Sequence, residues 1–219
     1  MFAVIFEVQP KTERQDDYLA LAKQLKPKLE AIDGFIDNER FRSRRTEGRL
    51  LSLSTWRDEK AVVRWRTHGE HHGVQEKGRF EVFQDYHLRV GEVTADTHPP
   101  EGLAAEQKRF DETEIGAAKS VTITELTPSD GTRDLAAALG LDVSAGGLVD
   151  RELFESIYNA GKHLLLASWR DADAASAWKP APIAGAQARR HRQVRVVRDY
   201  GMFDRREAPQ FYAEIKRPS

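Results

Sequence analysis

The sequence predicts an α+β protein made of two copies of one βαββαβ unit with antiparallel sheets. Three observations lead there. The stretch GFIDNERFRSRRTEGRLLSLSTWRD (Gly34 to Asp58) aligns without a gap on GLVDRELFESIYNAGKHLLLASWRD (Gly147 to Asp171), with 11 identities in 25 positions at a shift of 113. Strand-type and helix-type periodicities then follow one another in the same order around both stretches. A segment rich in Gly, Pro, Glu and Ala, Thr94 to Ala117, separates the two.

In copy one, Phe2 to Val8 is a short apolar run of strand type that Pro10 ends. From Glu13 to Ile32 the apolar positions Tyr18, Ala22, Leu25, Leu29 and Ile32 recur at steps of three and four, one face of a helix that Pro27 is expected to kink on its wet side. Phe35 to Arg45 alternates, Glu47-Gly48 reads as a hairpin turn, and Leu50 to Trp56 is a more apolar strand. Asp58 stands where a second helix needs an N-cap, with Glu59 in the first turn. That helix is expected to carry Ala61, Trp65, His68 and His72 on one face before Glu81 to Val90 returns as a strand. Copy two repeats the order: Lys119 to Leu126, a helix near Asp130 to Leu139, strands around Val149 to Ile157 and His163 to Trp169, an interrupted helix, and Gln193 to Gly201. This βαββαβ order is that of ferredoxin-like units, which serve many functions.

Composition narrows the functions. The 34 basic and 35 acidic residues nearly cancel, so no global field would hold nucleic acid or an anionic membrane. There is no Cys, which removes disulfides, thiolate metal sites and cysteine nucleophiles. No apolar run approaches the length of a membrane helix, and the first residues lack a basic leader segment; a cytoplasmic protein without membrane or nucleic-acid partners is expected. An RNA-binding module of the same element order would need paired aromatics on its central strands, and Leu50 to Thr55 has none.

The stretch SLSTWRDEKAVVRWRTHGEHHGVQEKGRFEVFQDYHLRV (Ser52 to Val90) resembles the second half of small proteins of the antibiotic biosynthesis monooxygenase (ABM) family: a strand ending in Trp, a helix bearing Trp and His, then a strand with Tyr. The resemblance covers nearly all of copy one and, more weakly, copy two. It implies an ABM-like domain over residues 1–93, a linker over 94–116, a second, degenerate ABM-like domain over 117–203 and a C-terminal extension over 204–219. Family members are dimers whose sheets face each other as an α/β barrel, with a mostly apolar cavity between each sheet and its helices. Here the resemblance implies either an intramolecular pseudo-dimer or a homodimer. Some members oxidise aromatic polyketides with molecular oxygen and no cofactor, some open a haem ring, and others are isomerases or have no assigned reaction. The expectation is therefore a cofactor-independent monooxygenase of a small aromatic or enolisable compound, acting in the N-terminal repeat. The alternative is a non-catalytic small-molecule or haem-binding barrel; FAVIFEV lacks the strand-one Asn of haem-degrading relatives, and Trp65 and His72 lie closer together than in their pattern.

A cofactor-free oxygenase needs a base to make the carbanion that reduces oxygen, and imidazole titrates in the right range. His72 or His68 is the expected base, with Trp65, Phe41, Trp56, Phe6, Tyr86 and His71 around the substrate. The bland alternative is a set of surface histidines on a helix loosened by Gly69 and Gly73. Copy two has Ala181, Ala184 and Gly185 at the histidine positions, and Pro180 and Pro182 interrupt its helix, so the chemistry is expected in copy one alone. Both copies keep Trp56/Trp169, Trp65/Trp178 and Asp85-Tyr86/Asp199-Tyr200, which read first as fold anchors. No HExxH pattern accompanies the histidines, so no metal is expected. Arg40, Arg42 and Arg44 share one strand face, either as a seat for a carboxylate or phosphate or as an ion-pair surface between the copies.

Overall fold

The computed structural model describes residues 1–128 and 134–217. In the first half, β1 (Phe2–Pro10), β2 (Phe35–Ser43), β3 (Leu50–Trp56) and β4 (Phe83–Asp96) lie in the order β4-β1-β3-β2. In the second, β5 (Ser120–Thr127), β6 (Leu148–Ser156), β7 (His163–Trp169) and β8 (Gln187–Gly201) lie in the matching order β8-β5-β7-β6. Two antiparallel seams, β2 to β6 and β4 to β8, close all eight strands into one barrel within the chain. Of the two pairings the sequence leaves open, the intramolecular one forms, and both outer edges of each sheet take part in a seam, β2 with β6 over three residue pairs.

The seam contacts are reciprocal, as a two-fold relation between repeats requires. Ser43 Oγ donates to Glu152 and Ser156 Oγ to Glu39; Arg44 N donates to Leu153 O at 2.9 Å and Ile157 N to Arg40 O at 3.0 Å. Each pair is the other shifted by 113 residues. Arg44 also pairs with Glu155 across the seam, so this member of the arginine stripe joins the copies.

Odd-numbered positions of β1 face inward, and Ala3 and Ile5 meet Phe41, Leu51, Leu53, Phe154, Leu164 and Val194 in a barrel core to which both halves contribute. Beyond this apolar centre the inward positions are charged. Arg89 pairs with Glu7 and reaches Ser168 Oγ at 2.7 Å; Arg192 pairs with Glu125 and reaches Thr55 Oγ1 at 2.9 Å. Thr55 and Ser168 are equivalent positions, so each buried ion pair is anchored on the opposite repeat. Burial works to raise the Glu7 pKa, but the Arg89 charge and the His87 hydrogen bond overcome it and hold the carboxyl at about 2.

The helices lie outside. On the first sheet stand α1 (Gln15–Glu30), α2 (Glu59–Arg66) and α3 (Gly69–Lys77); on the second, α4 (Leu135–Ala138) and α5 (Ala172–Ala177). The periodic positions Tyr18, Ala22, Leu25 and Leu29 are the buried face of α1, and Pro27 is exposed within the helix. Asp58 and Asp171 accept hydrogen bonds from Ala61 N and Ala174 N, each at 2.8 Å, which caps α2 and α5 alike. The shared Gly34 and Gly147, at φ +90° and +80°, sit against those same alanines; a Cβ would come within 2.7 and 2.5 Å of them.

Two expectations change. The second helix of copy one is not continuous: it ends at Arg66, and α3 starts at Gly69 after an extended His68. The copy-two helix is seen only as Leu135–Ala138, and the part expected at 130–133 lies outside the described residues. The segment between Thr97 and Lys119 packs Leu103 and Ala105 against the barrel core and donates Lys108 N and Arg109 N to Glu92. The tail is fastened to it, since Glu207 accepts from Thr113 Oγ1 and Asp199 N, both at 2.7 Å. Among the described residues no helix is long and apolar enough to cross a membrane.

Candidate active site

The outward face of the first sheet is not packed tightly under its helices. Val4, Phe6, Asn38, Arg40, Ser52, Ser54, Leu88 and Val90 form the floor of a cleft of about 1480 Å³, its open mouth included. Ala22, Leu25 and Leu29 of α1, Val62 and Trp65 of α2, and His71, Val74 and Gln75 of α3 form the opposite wall. Most of this lining is apolar, as a small-molecule site requires.

Two parts of the wall come from beyond copy one. The β4–β8 register slips by one residue at Val197, and after the slip Arg198 and Tyr200 lie opposite Val90 and Leu88 and turn into the cleft. The tail then crosses the mouth with Arg205, Pro209, Gln210 and Tyr212. Gln210 Nε2 donates to Arg66 O and Gln75 Oε1, both at 3.2 Å, and ties the tail to α2 and α3. Just before β4 a π-helical turn, Gly78–Val82, brings Arg79 into the same end of the cleft. Gly78 permits this because a Cβ there would come within 2.5 Å of the Phe83 ring.

The break between α2 and α3 decides which histidine meets the cleft. On an unbroken helix His68 and His72 would follow Trp65. The extended residue at 68 resets the phase, and His71 lies flat on Trp65, with centroids 4.0 Å apart and planes at 14°. His71 Nδ1 lies 2.8 Å from Trp65 O, so the neutral ring carries its proton on Nδ1 and leaves Nε2 as the bare nitrogen. Burial lowers the His71 pKa to about 4; the Trp65 carbonyl opposes this, and His68 and His72 add to it. His68 is the N-terminal boundary residue of α3 and is not part of the cleft wall; its Nδ1 is buried without a partner. His72 is exposed and stacks on Tyr212 at 5.7 Å from outside.

Of the other expected residues, Phe6, Trp65 and Tyr86 line the cleft. Phe41 is fully buried inside the barrel beside Phe154, on the opposite face of β2 from the cleft. Trp56 is fully buried under α2, edge-on to Phe35, with Nε1 donating to Ser54 Oγ at 2.9 Å. Tyr18, Arg79, Tyr200 and Arg205 complete a polar cluster that sequence patterns did not single out as site residues. Arg79 and Arg205 both donate to Tyr86 Oη, at 3.3 and 2.6 Å.

An antibiotic biosynthesis monooxygenase family model matches residues 1–77, the part that holds β1 to β3 and the helical wall of the cleft. A protein named jasmonate monooxygenase ABM from Pyricularia oryzae (strain 70-15) is 46% identical over 219 residues, covering 97% of this chain and 98% of its own. The uncharacterized protein YqjZ of Bacillus subtilis (strain 168) is 33% identical over 92 residues, covering 42% of this chain and 78% of its own. Among solved structures, an aldoxime dehydratase in complex with butyraldoxime superposes with a TM-score of 0.57 at 12% identity, over 89% of this chain and 79% of that one, a likeness of fold. With a relative this similar along its full length, the chain belongs to the antibiotic biosynthesis monooxygenase family.

Proposed function

We propose that this protein is a cofactor-independent monooxygenase that oxidises a small, mostly apolar, enolisable carbonyl or phenolic compound in the cleft of its N-terminal half. The observation that carries the reading is His71: an imidazole held neutral by burial, oriented through Nδ1, with Nε2 bare, on the wall of an apolar cleft. His71 Nε2 takes a proton from the carbon beside the carbonyl. The carbanion gives one electron to molecular oxygen, and the resulting radicals join as a C–O bond. The hydroperoxide loses water, so a CH2 becomes a C=O, one oxygen atom enters the product and the other leaves as water. The substrate supplies all four electrons. Arg40, on the cleft floor, places a positive charge where an enolate would develop.

The name of the 46% identical relative supports jasmonate as the first compound to try. Jasmonate is a cyclopentanone with an apolar side chain and enolisable ring carbons, which suits the cleft's lining. The test is oxygen uptake by metal-free protein with jasmonic acid, anthrones, hydroquinones and dihydroxynaphthalenes. His71→Ala is expected to lower kcat/KM by about a hundredfold or more, as for loss of a general base. His72→Ala is expected to change it by less than about threefold, because that ring lies outside. Uptake that survives in His71→Ala and disappears in His72→Ala or His68→Ala would move the base, and no uptake with any compound would remove the oxygenase reading.

A further inference from the structure

Five arginines line the cleft, Arg40, Arg66, Arg79, Arg198 and Arg205, and among the described residues none forms an ion pair with a carboxylate. The one acid on the wall, Glu59, is already paired with Arg109. Elsewhere this chain neutralises its buried guanidinium groups: Arg89 meets Glu7 and Arg192 meets Glu125. Burying a cation without a counter-ion is costly, and an apolar cleft concentrates its field, so a cleft with five unmatched cations has the electrostatics of an anion site.

Two of the five converge. Arg79, only 2% exposed, donates Nη1 to Tyr86 Oη and to Met202 O, and Nη2 to Ala213 O. Arg205 donates Nη1 to the same Tyr86 Oη and Nη2 to Gln210 O. Two guanidinium groups thus share one phenol oxygen at the end of an apolar cleft, where a carboxylate would satisfy both with charge-assisted hydrogen bonds.

We propose that the cleft takes its substrate as the free organic carboxylate, with the carboxylate held by Arg79 and Arg205 beside Tyr86 and the apolar body extending toward Trp65 and His71. The inference rests on the cleft being the substrate site, and it names the substrate class: a small apolar acid, in preference to its ester. Arg79 and Arg205 are binding residues that fix which end of the molecule reaches the base.

Affinities for two acid and ester pairs test it: jasmonic acid with methyl jasmonate, and 1-naphthaleneacetic acid with its methyl ester, by calorimetry at low salt. Each acid is expected to bind wild type at least about tenfold more tightly than its ester. Added salt is expected to narrow the gap. Arg205→Gln is expected to reduce the ratio to near one without weakening the esters, while Arg42→Gln, on the same strand as Arg40 but outside the cleft, leaves it unchanged. The wild-type ratio requires no variant, so it decides the matter even where Arg205→Gln folds poorly. Equal affinity within both pairs, including no binding of either acid, overturns the proposal, as does a ratio that survives in folded Arg205→Gln. Oxygen uptake in the same samples separates the two readings. Selective binding of acids without uptake keeps the clamp and removes the oxidation; equal uptake with esters removes the clamp and keeps the oxidation.

Discussion

On the outer face of the first sheet, position 40 is an arginine, and a helix of 16 residues stands over it with α2 and α3 beside it. On the second sheet the matching position is Leu153, and above it Leu135, Leu139, Leu141, Trp178 and Ile183 fill the space. Trp178 stacks on Trp169 at 5.9 Å, whereas its counterpart Trp65 stacks on His71 at 4.0 Å and faces the cleft. The two halves therefore share sheets, caps and glycine turns, and they differ in what lies above the sheet. The filled half closes the barrel with the hollow one and adds Arg198 and Tyr200 to the cleft, and the tail that follows it crosses the mouth.

The strongest test of the shared frame is the pair of reciprocal ion pairs. Glu125→Leu strands Arg192, which is 1% exposed, and is expected to cost about 3 to 5 kcal/mol in urea unfolding. Glu7→Leu strands Arg89 and is expected to cost the same within about 1 kcal/mol, since removing either acid leaves an equivalent buried cation. A loss in one half of less than half that in the other would break the pseudo-symmetry on which the comparison rests.

Protonation tests the halves next. His71 in one half and His191 in the other both have pKa values lowered to about 4, chiefly by burial. The unfolded chain binds those protons near pH 6.5, so stability is full above that pH and declines as pH falls toward 4. His87 runs the other way: burial lowers its pKa, but the hydrogen bonds to Asp199 and Glu7, with the Asp199 charge, together outweigh this and raise it, so its contribution is greatest at low pH and fades as pH rises. The net expectation for His71 is a loss on the order of 2 kcal/mol between pH 7 and 4 that His71→Gln removes in unfolding measured by circular dichroism. A variant with the wild-type pH slope would mean that the His71 ring is solvated.

The smallest effect separates the halves most cleanly. Asp58→Ala and Asp171→Ala each lose an N-cap worth about 1 kcal/mol, so their melting temperatures should fall alike. Only Asp58→Ala should also raise KM, because α2 bounds the cleft and α5 bounds a filled core.

Much of the frame was legible in the sequence because it rests on local rules. Gly34 and Gly147 occupy left-handed turns, Asp58 and Asp171 cap helices, and period-two and period-four patterns mark the strands and α1. Of the candidate site, the residues named from the sequence and the cleft share one half of the chain and the α2–α3 segment. Trp65, Phe6 and Tyr86 line the cleft, but His71 rather than His68 or His72 reaches it. A helical wheel assumes unbroken phase, and the low helix propensity of Thr67-His68-Gly69 was the available sign of a break. Phe41 and Trp56 are aromatics of the barrel core and of the sheet–helix packing, and strand alternation alone does not tell an inner face from a hollow outer one. Arg198 and Tyr200 enter through a one-residue slip, and Arg205 and Tyr212 through a tail of irregular structure, neither of which has a periodic signature.

The most direct test of the central claim, that the ligand site belongs to the first half, uses the tryptophans as reporters. Trp65→Phe and Trp178→Phe are titrated with an anthrone and with 1-naphthaleneacetic acid while tryptophan emission is followed. The ligand-induced change is expected to persist in Trp178→Phe and to be lost in Trp65→Phe. A change that persists in Trp65→Phe and vanishes in Trp178→Phe would place the ligand over the second sheet and contradict that claim.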